Sequence, residues 1–289
     1  MSAVSTRNSR TQQLAPIVKW VGGKRQLLPH ILPLIPANIS TYVEPFLGGG
    51  AVLFALQPKR AIVNDFNTEL MNLYQVIRDE PQELIDRLRE HAGRNNSDYF
   101  YEIRSWDRQD TYRKLKPATR AARLVYLNKT CYNGLFRVNQ SGHFNTPFGR
   151  YKNPRIVDEP AIRALSDYLS TADIDLRTGD YRGALKNLST TAFVYFDPPY
   201  MPVSTSASFT GYTEGGFDAT EQIALRDTCR ELNKQGIRFL LSNSAHPLIL
   251  DLYSEFRIDM VEARRAVNSK AERRGVVTEV LVRNYELPK

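Results

Sequence analysis

The sequence predicts an α/β protein. An open, mostly parallel sheet is covered by helices on both faces, carries an antiparallel hairpin at one edge, and is interrupted by a second, mainly helical domain. Three observations predict this. Apolar strand-like runs alternate with helical patterns toward both ends of the chain, the order that builds parallel sheets. The last two strand candidates are joined by a polar loop with no helix between them, which suits an antiparallel pair. Between residues 72 and 155 strand signals are few, and helical patterns alternate with polar loops.

Taken in order, the polar stretch 1–15 reads as a disordered tail; it lacks the apolar core of a secretory signal. TYVEPF (41–46) is the first strand, and LGGGAV leads from it into a short apolar helix. AIVNDF (61–66) is the second and runs into NTELMNLYQVIRD, whose apolar residues recur at helical spacing. After the insert come IDLRTGD (174–180), TAFVYFDPPY (191–200) and IRFLLSNSA (237–245). The helical patterns TEQIALRDTCRELNKQG and HPLILDLYSEF flank the last of these. FRIDMVEARRAV and TEVLVRNYE, joined by the basic loop NSKAERRG, form the edge hairpin. The sheet domain is thus assigned to 16–71 and 156–289, and the insert to 72–155.

With 289 residues, 42% apolar and 24% charged, the chain suits one large soluble domain carrying an insert. No apolar run is long enough to span a bilayer. Two cysteines, Cys131 and Cys229, make no disulfide framework, and no Cys/His cluster has metal-ligand spacing. The expectation is a cytoplasmic protein without a metal. A formal charge of +8 suits a polyanionic partner. The run at 104–123, with seven Arg/Lys and two Asp, reads first as a solvated helical face. The segment 130–154, TCYNGLFRVNQSGHFNTPFGRYKNP, is irregular and mixes aromatics with cations; such a length without regular structure is costly unless it binds something.

In open parallel sheets ligands sit beyond the carboxyl ends of the strands, so three strand ends carry the chemistry. EPFLGGG offers consecutive glycines that let backbone approach a ligand. It fits neither the dinucleotide fingerprint nor a phosphate loop, which favours a small nucleoside without phosphates. Asp65 ends the next strand, where it could bind ribose hydroxyls or, equally, cap the following helix. Asp197-Pro198-Pro199-Tyr200 ends the third. Prolines lack an N–H and stiffen the backbone, so this turn is rich in acceptors and poor in donors. It suits an amino group on a nucleobase, gripped by the Asp197 carboxylate and the Pro198 carbonyl, with Tyr200 as a stacking face. A turn that merely ends a buried strand is the plainer alternative.

These motifs resemble the S-adenosylmethionine-dependent amino-methyltransferases, in particular the Dam-type (DpnII-like) DNA adenine-N6 methyltransferases that modify GATC. The resemblance covers nearly the whole chain after the tail, through KWVGGKRQLL, YVEPFLGGGAV, NDFN, YNGLFR, FNTPFGRYKNP, GDY, DPPY and LSNS in that order. It implies a seven-stranded Rossmann-like sheet with an antiparallel edge, S-adenosylmethionine as cofactor, no metal, and double-stranded DNA as partner. Trp20 and Lys24 would help hold the cofactor, with Phe46, Gly48 and Gly50 forming its pocket. Asp65 would bind ribose, Asp180 and Tyr181 would lie near the cofactor's adenine, and Asp197 would serve both cofactor and target amine. Lys19, Tyr132, Asn133, Leu135, Arg137, Pro147, Arg150 and Tyr151 match positions that touch DNA in the family, whereas Phe136 and Thr146 stand where its motifs vary. The implied reaction is direct transfer to a base flipped from the duplex, with no covalent enzyme intermediate; Cys131 reads as an ordinary small residue of the insert. The stretch after DPPY, with Phe209, Tyr212 and Phe217, reads as a lid or as a plain ordered loop. Cytosine N4 and RNA adenine remain alternative targets on these residues, as does a cofactor-binding protein without activity. A restriction endonuclease acting on the same site is the further partner that the resemblance leaves open.

Overall fold

In the computed structural model, which describes residues 14–201, 217–264 and 276–287, the chain begins with α1 (Leu28–Ile31), β1 (Tyr42–Glu44), α2 (Ala51–Leu56), β2 (Arg60–Asp65) and α3 (Thr68–Asp79). There follow α4 (Pro81–Gly93), α5 (Ser97–Ser105), α6 (Pro117–Thr130), α7 (Glu159–Thr171), β3 (Asp173–Thr178) and β4 (Phe193–Phe196). The chain closes with α8 (Ala219–Lys234), β5 (Arg238–Ser244), α9 (Pro247–Leu252), β6 (Arg257–Arg264) and β7 (Val276–Arg283). The seven strands form one sheet in the order β3-β2-β1-β4-β5-β7-β6. Five are parallel, and β7 lies antiparallel between β5 and β6. The predicted sheet and its antiparallel edge are both present. Residues 1–13 of the tail, the loop 268–275, Phe209 and Tyr212 lie outside the described residues.

Alternation along β4 explains why its apolar run is unbroken. Phe193 and Tyr195 face one core, with Tyr42, Val63 and Leu240, while Val194 and Phe196 face another, with Val43, Phe239 and Leu241. Both faces of a central parallel strand are covered, so no polar alternation survives. The first of these cores continues without a break into the insert, through Tyr74, Leu84, Phe100 and Tyr126. Residue 72 lies inside α3, which packs on β2 and β3 as well as on α4, α6 and α7. No helix among the described residues is long and apolar enough to cross a membrane.

Strand order reverses between β1 and β4: the chain moves outward from β1 through β2 and β3, then returns to β4 on its other side. That switch opens a crevice at the carboxyl ends of β1 and β4, which residues within 107–113 and 136–144 also line.

Candidate active site

The crevice is a cleft of about 1310 Å³, and it gathers residues the sequence had marked separately. Trp20, Lys24, Phe46, Gly48, Asp65, Asp180, Tyr181 and Asp197 through Tyr200 all line it. Gly50 does not: it caps α2 from the left-handed region at φ +70°, and a Cβ there would stand 2.6 Å from the Phe54 ring.

At the β1 and β2 ends the glycine loop is held by an acid. Asp65 accepts from the Gly48 N–H at 2.8 Å through one oxygen and from the Asn67 N–H at 2.9 Å through the other. Burial raises its pKa, and these two N–H groups oppose that rise. The helix-cap alternative for Asp65 does not hold, because Asn67 caps α3 by accepting from the Leu70 N–H. Gly48 has φ +50°, and a Cβ there would meet the Trp20 indole at 3.2 Å; the loop therefore needs glycine. Asn64 donates to the carbonyls of Pro45 and Gly179, locking the ends of β1, β2 and β3 together. Phe66, 56% exposed, presents an uncovered ring in the cleft beside Asp65. Tyr181 is itself covered, stacked on Phe46 at 5.0 Å and met by Phe217, while Asp180 is engaged with Arg182.

At the β4 end the partners are side chains. Lys24, almost fully buried, places Nζ 2.8 Å from Asp197 Oδ1, 2.6 Å from the Gly22 carbonyl and 4.4 Å from the centre of the Tyr200 ring. Ser242 donates to the same Oδ1 at 3.0 Å, so Oδ2 carries neither bond. Burial raises the Asp197 pKa; Lys24 and Ser242 oppose that rise, and the charge of Glu279 adds to it. The Pro199 carbonyl accepts from Gln222, whereas no donor among the described residues engages that of Pro198. Tyr200 is fixed in turn by donating its hydroxyl to Glu279 at 2.6 Å. Stiff prolines, one free carbonyl and a carboxylate with an open oxygen make a site shaped for a hydrogen-bond donor.

Sequence reasoning missed Ser242, Asn243, Gln222 and Glu279 as parts of this site. A signal for the first two was available: Ser242-Asn243-Ser244 ends an apolar strand and is buried throughout, and buried polar groups need partners. Asn243 accepts from the Met201 and Ser244 N–H groups and donates to Gln222, so it braces the backbone after DPPY.

The residues expected at DNA cluster elsewhere, around the end of α6. Lys19 donates to the Asn133 carbonyl, the Tyr132 N–H bonds the Pro147 carbonyl, and Arg137 Nε donates to Asn145. Arg150, at φ +53°, Tyr132 and Tyr151 are exposed. None of the eight lines the cleft, although their neighbour Phe136 does. Cys131 is fully buried and its thiol is pushed up to about 12 by that burial, as befits a packing residue. The basic run at 104–123 is only in part the solvated face its composition suggested: Arg113, Lys114 and Lys116 are exposed, whereas its other four cations are engaged by the protein. Arg123 is buried against Asp107 at 2.9 Å and bonds the Ile103 and Arg104 carbonyls; Arg120 pairs with Glu69 at 2.6 Å; Arg104 and Arg108 bond the carbonyls of Thr146 and Phe144.

Residues 20–267 match the model of the D12 class N6 adenine-specific DNA methyltransferases. The chain is 45% identical over 272 residues to the type II methyltransferase M1.LlaDCHI of Lactococcus lactis subsp. cremoris, covering 94% of this chain and 96% of that one. It is 38% identical to the type II methyltransferase M.MjaIII of Methanocaldococcus jannaschii, covering 94% and 100%. The DNA adenine methylase of Escherichia coli strain K12 is 32% identical, covering 91% and 93%.

Proposed function

The chain belongs to the D12 class N6 adenine-specific DNA methyltransferase family, and we propose that it methylates adenine N6 in double-stranded DNA, within GATC, using S-adenosylmethionine. The observation that carries this reading is Asp197: a half-buried carboxylate at a strand end, held at Oδ1 by Lys24 and Ser242, lining one cleft with Asp65 and the glycine loop.

The residues present fit the cofactor. Asp65 keeps acceptor capacity for ribose hydroxyls beyond its two N–H partners, Gly48 lets backbone come close, and Phe66, Phe46 and Trp20 offer apolar faces. When bound, S-adenosylmethionine supplies a methyl group made electrophilic by its sulfonium, so alignment and electrostatics are what the protein adds.

Asp197 and the Pro198 carbonyl accept the two N–H bonds of the target amine and draw its lone pair out of conjugation, toward the electrophile. An adenine inside a duplex cannot reach this depth, so the base is flipped out and stacks on Tyr200. The insert, 72–155, reads the site, through Lys19 of the preceding segment and through Tyr132, Asn133, Leu135, Arg137, Pro147, Arg150 and Tyr151. Type II relatives make a restriction endonuclease of matching specificity the natural partner, in the cytoplasm where both meet DNA.

Incubation with radiolabelled S-adenosylmethionine and duplexes of defined sequence, followed by identification of the modified base, tests the reading. Label on adenine in GATC alone is expected. Asp197→Ala is expected to abolish transfer while the protein keeps its circular dichroism, and Asp197→Asn to lose most of it, because an amide accepts more weakly and brings donors of its own. Near-normal turnover by Asp197→Ala would overturn the assignment.

A further inference from the structure

Phe136 belongs to the loop after α6 yet lines the cleft, where its ring stacks on Trp20 with centroids 4.7 Å apart and planes at 23°. The indole also backs the glycine loop, its Cδ1 3.2 Å from where a Gly48 Cβ would stand. Phe136 continues the layer to Phe144 at 5.6 Å, and the Phe144 N–H is held by Asp107, the partner of buried Arg123. The stack therefore ties the cofactor loop to the interior wiring of the insert.

A second tie runs beneath it. Asn128, buried, accepts from the Lys19 N–H at 2.8 Å and donates to the carbonyls of Lys19 at 2.8 Å and Gly134 at 3.1 Å. It thereby clasps the chain just before Trp20 to the chain just before Phe136. Gly134 completes the closure: at φ +63°, with Lys19 Cδ 3.1 Å and the Asn128 carbonyl 3.3 Å from an added Cβ, it admits no bulkier residue without movement.

We propose that Phe136 is a positioning residue for the cofactor pocket, so that the loop which reads DNA also holds a wall of the cofactor site in place. Loop and indole then share one arrangement, and whatever orders the loop orders the pocket. Cofactor and DNA must each raise the affinity for the other by one common factor. The inference rests on the reading of the cleft as the S-adenosylmethionine site and of residues 132–137 as part of the DNA interface.

Calorimetric titration of the full chain with S-adenosylhomocysteine, first without DNA and then with a GATC duplex, tests it. Phe136→Ala is expected to weaken binding in the absence of DNA by about three- to tenfold, the range an aromatic pair is worth, and to shrink the enhancement that the duplex gives. Phe136→Tyr keeps the ring and should bind as the parent does. Phe136→Leu keeps apolar bulk without the stack, and it should weaken binding in the same direction; it decides the matter where the alanine variant folds poorly. A residue that only reads DNA would leave the DNA-free titration unmoved, so unchanged affinity in Phe136→Leu overturns the inference while leaving the proposed function intact. No binding by the parent protein sinks both.

Discussion

Residues 104–151 hold two arginine-bearing stretches that fold to opposite uses. In 104–123, Arg104, Arg108, Arg120 and Arg123 turn inward onto carboxylates and carbonyls. In 132–151, Arg150, Tyr132 and Tyr151 stand exposed, and Arg137 is engaged only through Nε among the described residues. The first stretch has the greater density of positive charge, yet four of its five arginines have protein partners. On the proposed reading, charge density alone does not locate a nucleic-acid face. What matters is whether each guanidinium has already spent its donors on the protein, since five N–H groups in a rigid fork serve a carbonyl as readily as a base edge.

The hardest test of this contrast is Arg123→Ala. It removes a cation that is itself 5% exposed, takes from Asp107 one of its two arginine partners while Arg108 stays at 2.7 Å, and leaves the Ile103 and Arg104 carbonyls without that donor. Breaking a buried pair outright costs about 3 to 5 kcal/mol; with Arg108 retained, denaturant unfolding should show a loss of about 2 to 3 kcal/mol. Cofactor affinity, measured where the variant is still folded, should fall far less than stability. If Arg123→Ala unfolds like the parent but binds DNA poorly, the inward-facing assignment is wrong.

The contrast was hidden in the sequence for a physical reason. The partners of the first stretch, Glu69 and the Thr146 and Phe144 carbonyls, lie tens of residues from the arginines they hold, and periodicity carries no information about such pairs. The same limit applies at the β4 end. Asp197 was legible, because prolines after an apolar strand constrain local geometry whatever surrounds them. Ser242 was visible only as part of a motif, since its bond to Asp197 exists through the parallel register that sets Phe196 beside Leu241. Glu279 was out of reach: it arrives beside Tyr200 because β7 pairs antiparallel with β5, with Glu279 opposite Ser244. Strands were readable because burial on both faces writes itself into composition. Side-chain partners across the sheet depend on register, which a single strand does not record.

On the outward-facing stretch the expected effect is smaller and of another kind. Arg137 keeps both terminal nitrogens without a described partner while Nε is pinned by Asn145 at 2.7 Å, a posture that leaves a fork to meet two acceptors on guanine. Each such pair discriminates by about 1 to 3 kcal/mol. Arg137→Ala should keep its fold and lose preference for GATC over duplexes in which a guanine of the site is replaced, by on the order of ten- to a hundredfold. Methylation rates across one-base variants check this. A single common factor lost on every duplex would make Arg137 a backbone anchor instead.

The finest distinction falls within the first stretch, where Arg113 and Lys114 escape the inward rule: both are exposed and carry no ion pair among the described residues. Arg113 also lines the cleft mouth. Free cations at the rim of a site, without aromatic neighbours held against them, suit phosphates, which give register but no sequence information. Neutralising both should therefore leave the ranking of duplexes unchanged and flatten the dependence of binding on salt. Two lost phosphate contacts reduce the slope of log K against log salt by about 1.8. Fluorescence anisotropy on GATC and near-cognate duplexes over a salt series measures ranking and slope together. A changed ranking with an unchanged slope would mean that these two cations reach base edges, and the division between the two stretches would have to be drawn residue by residue.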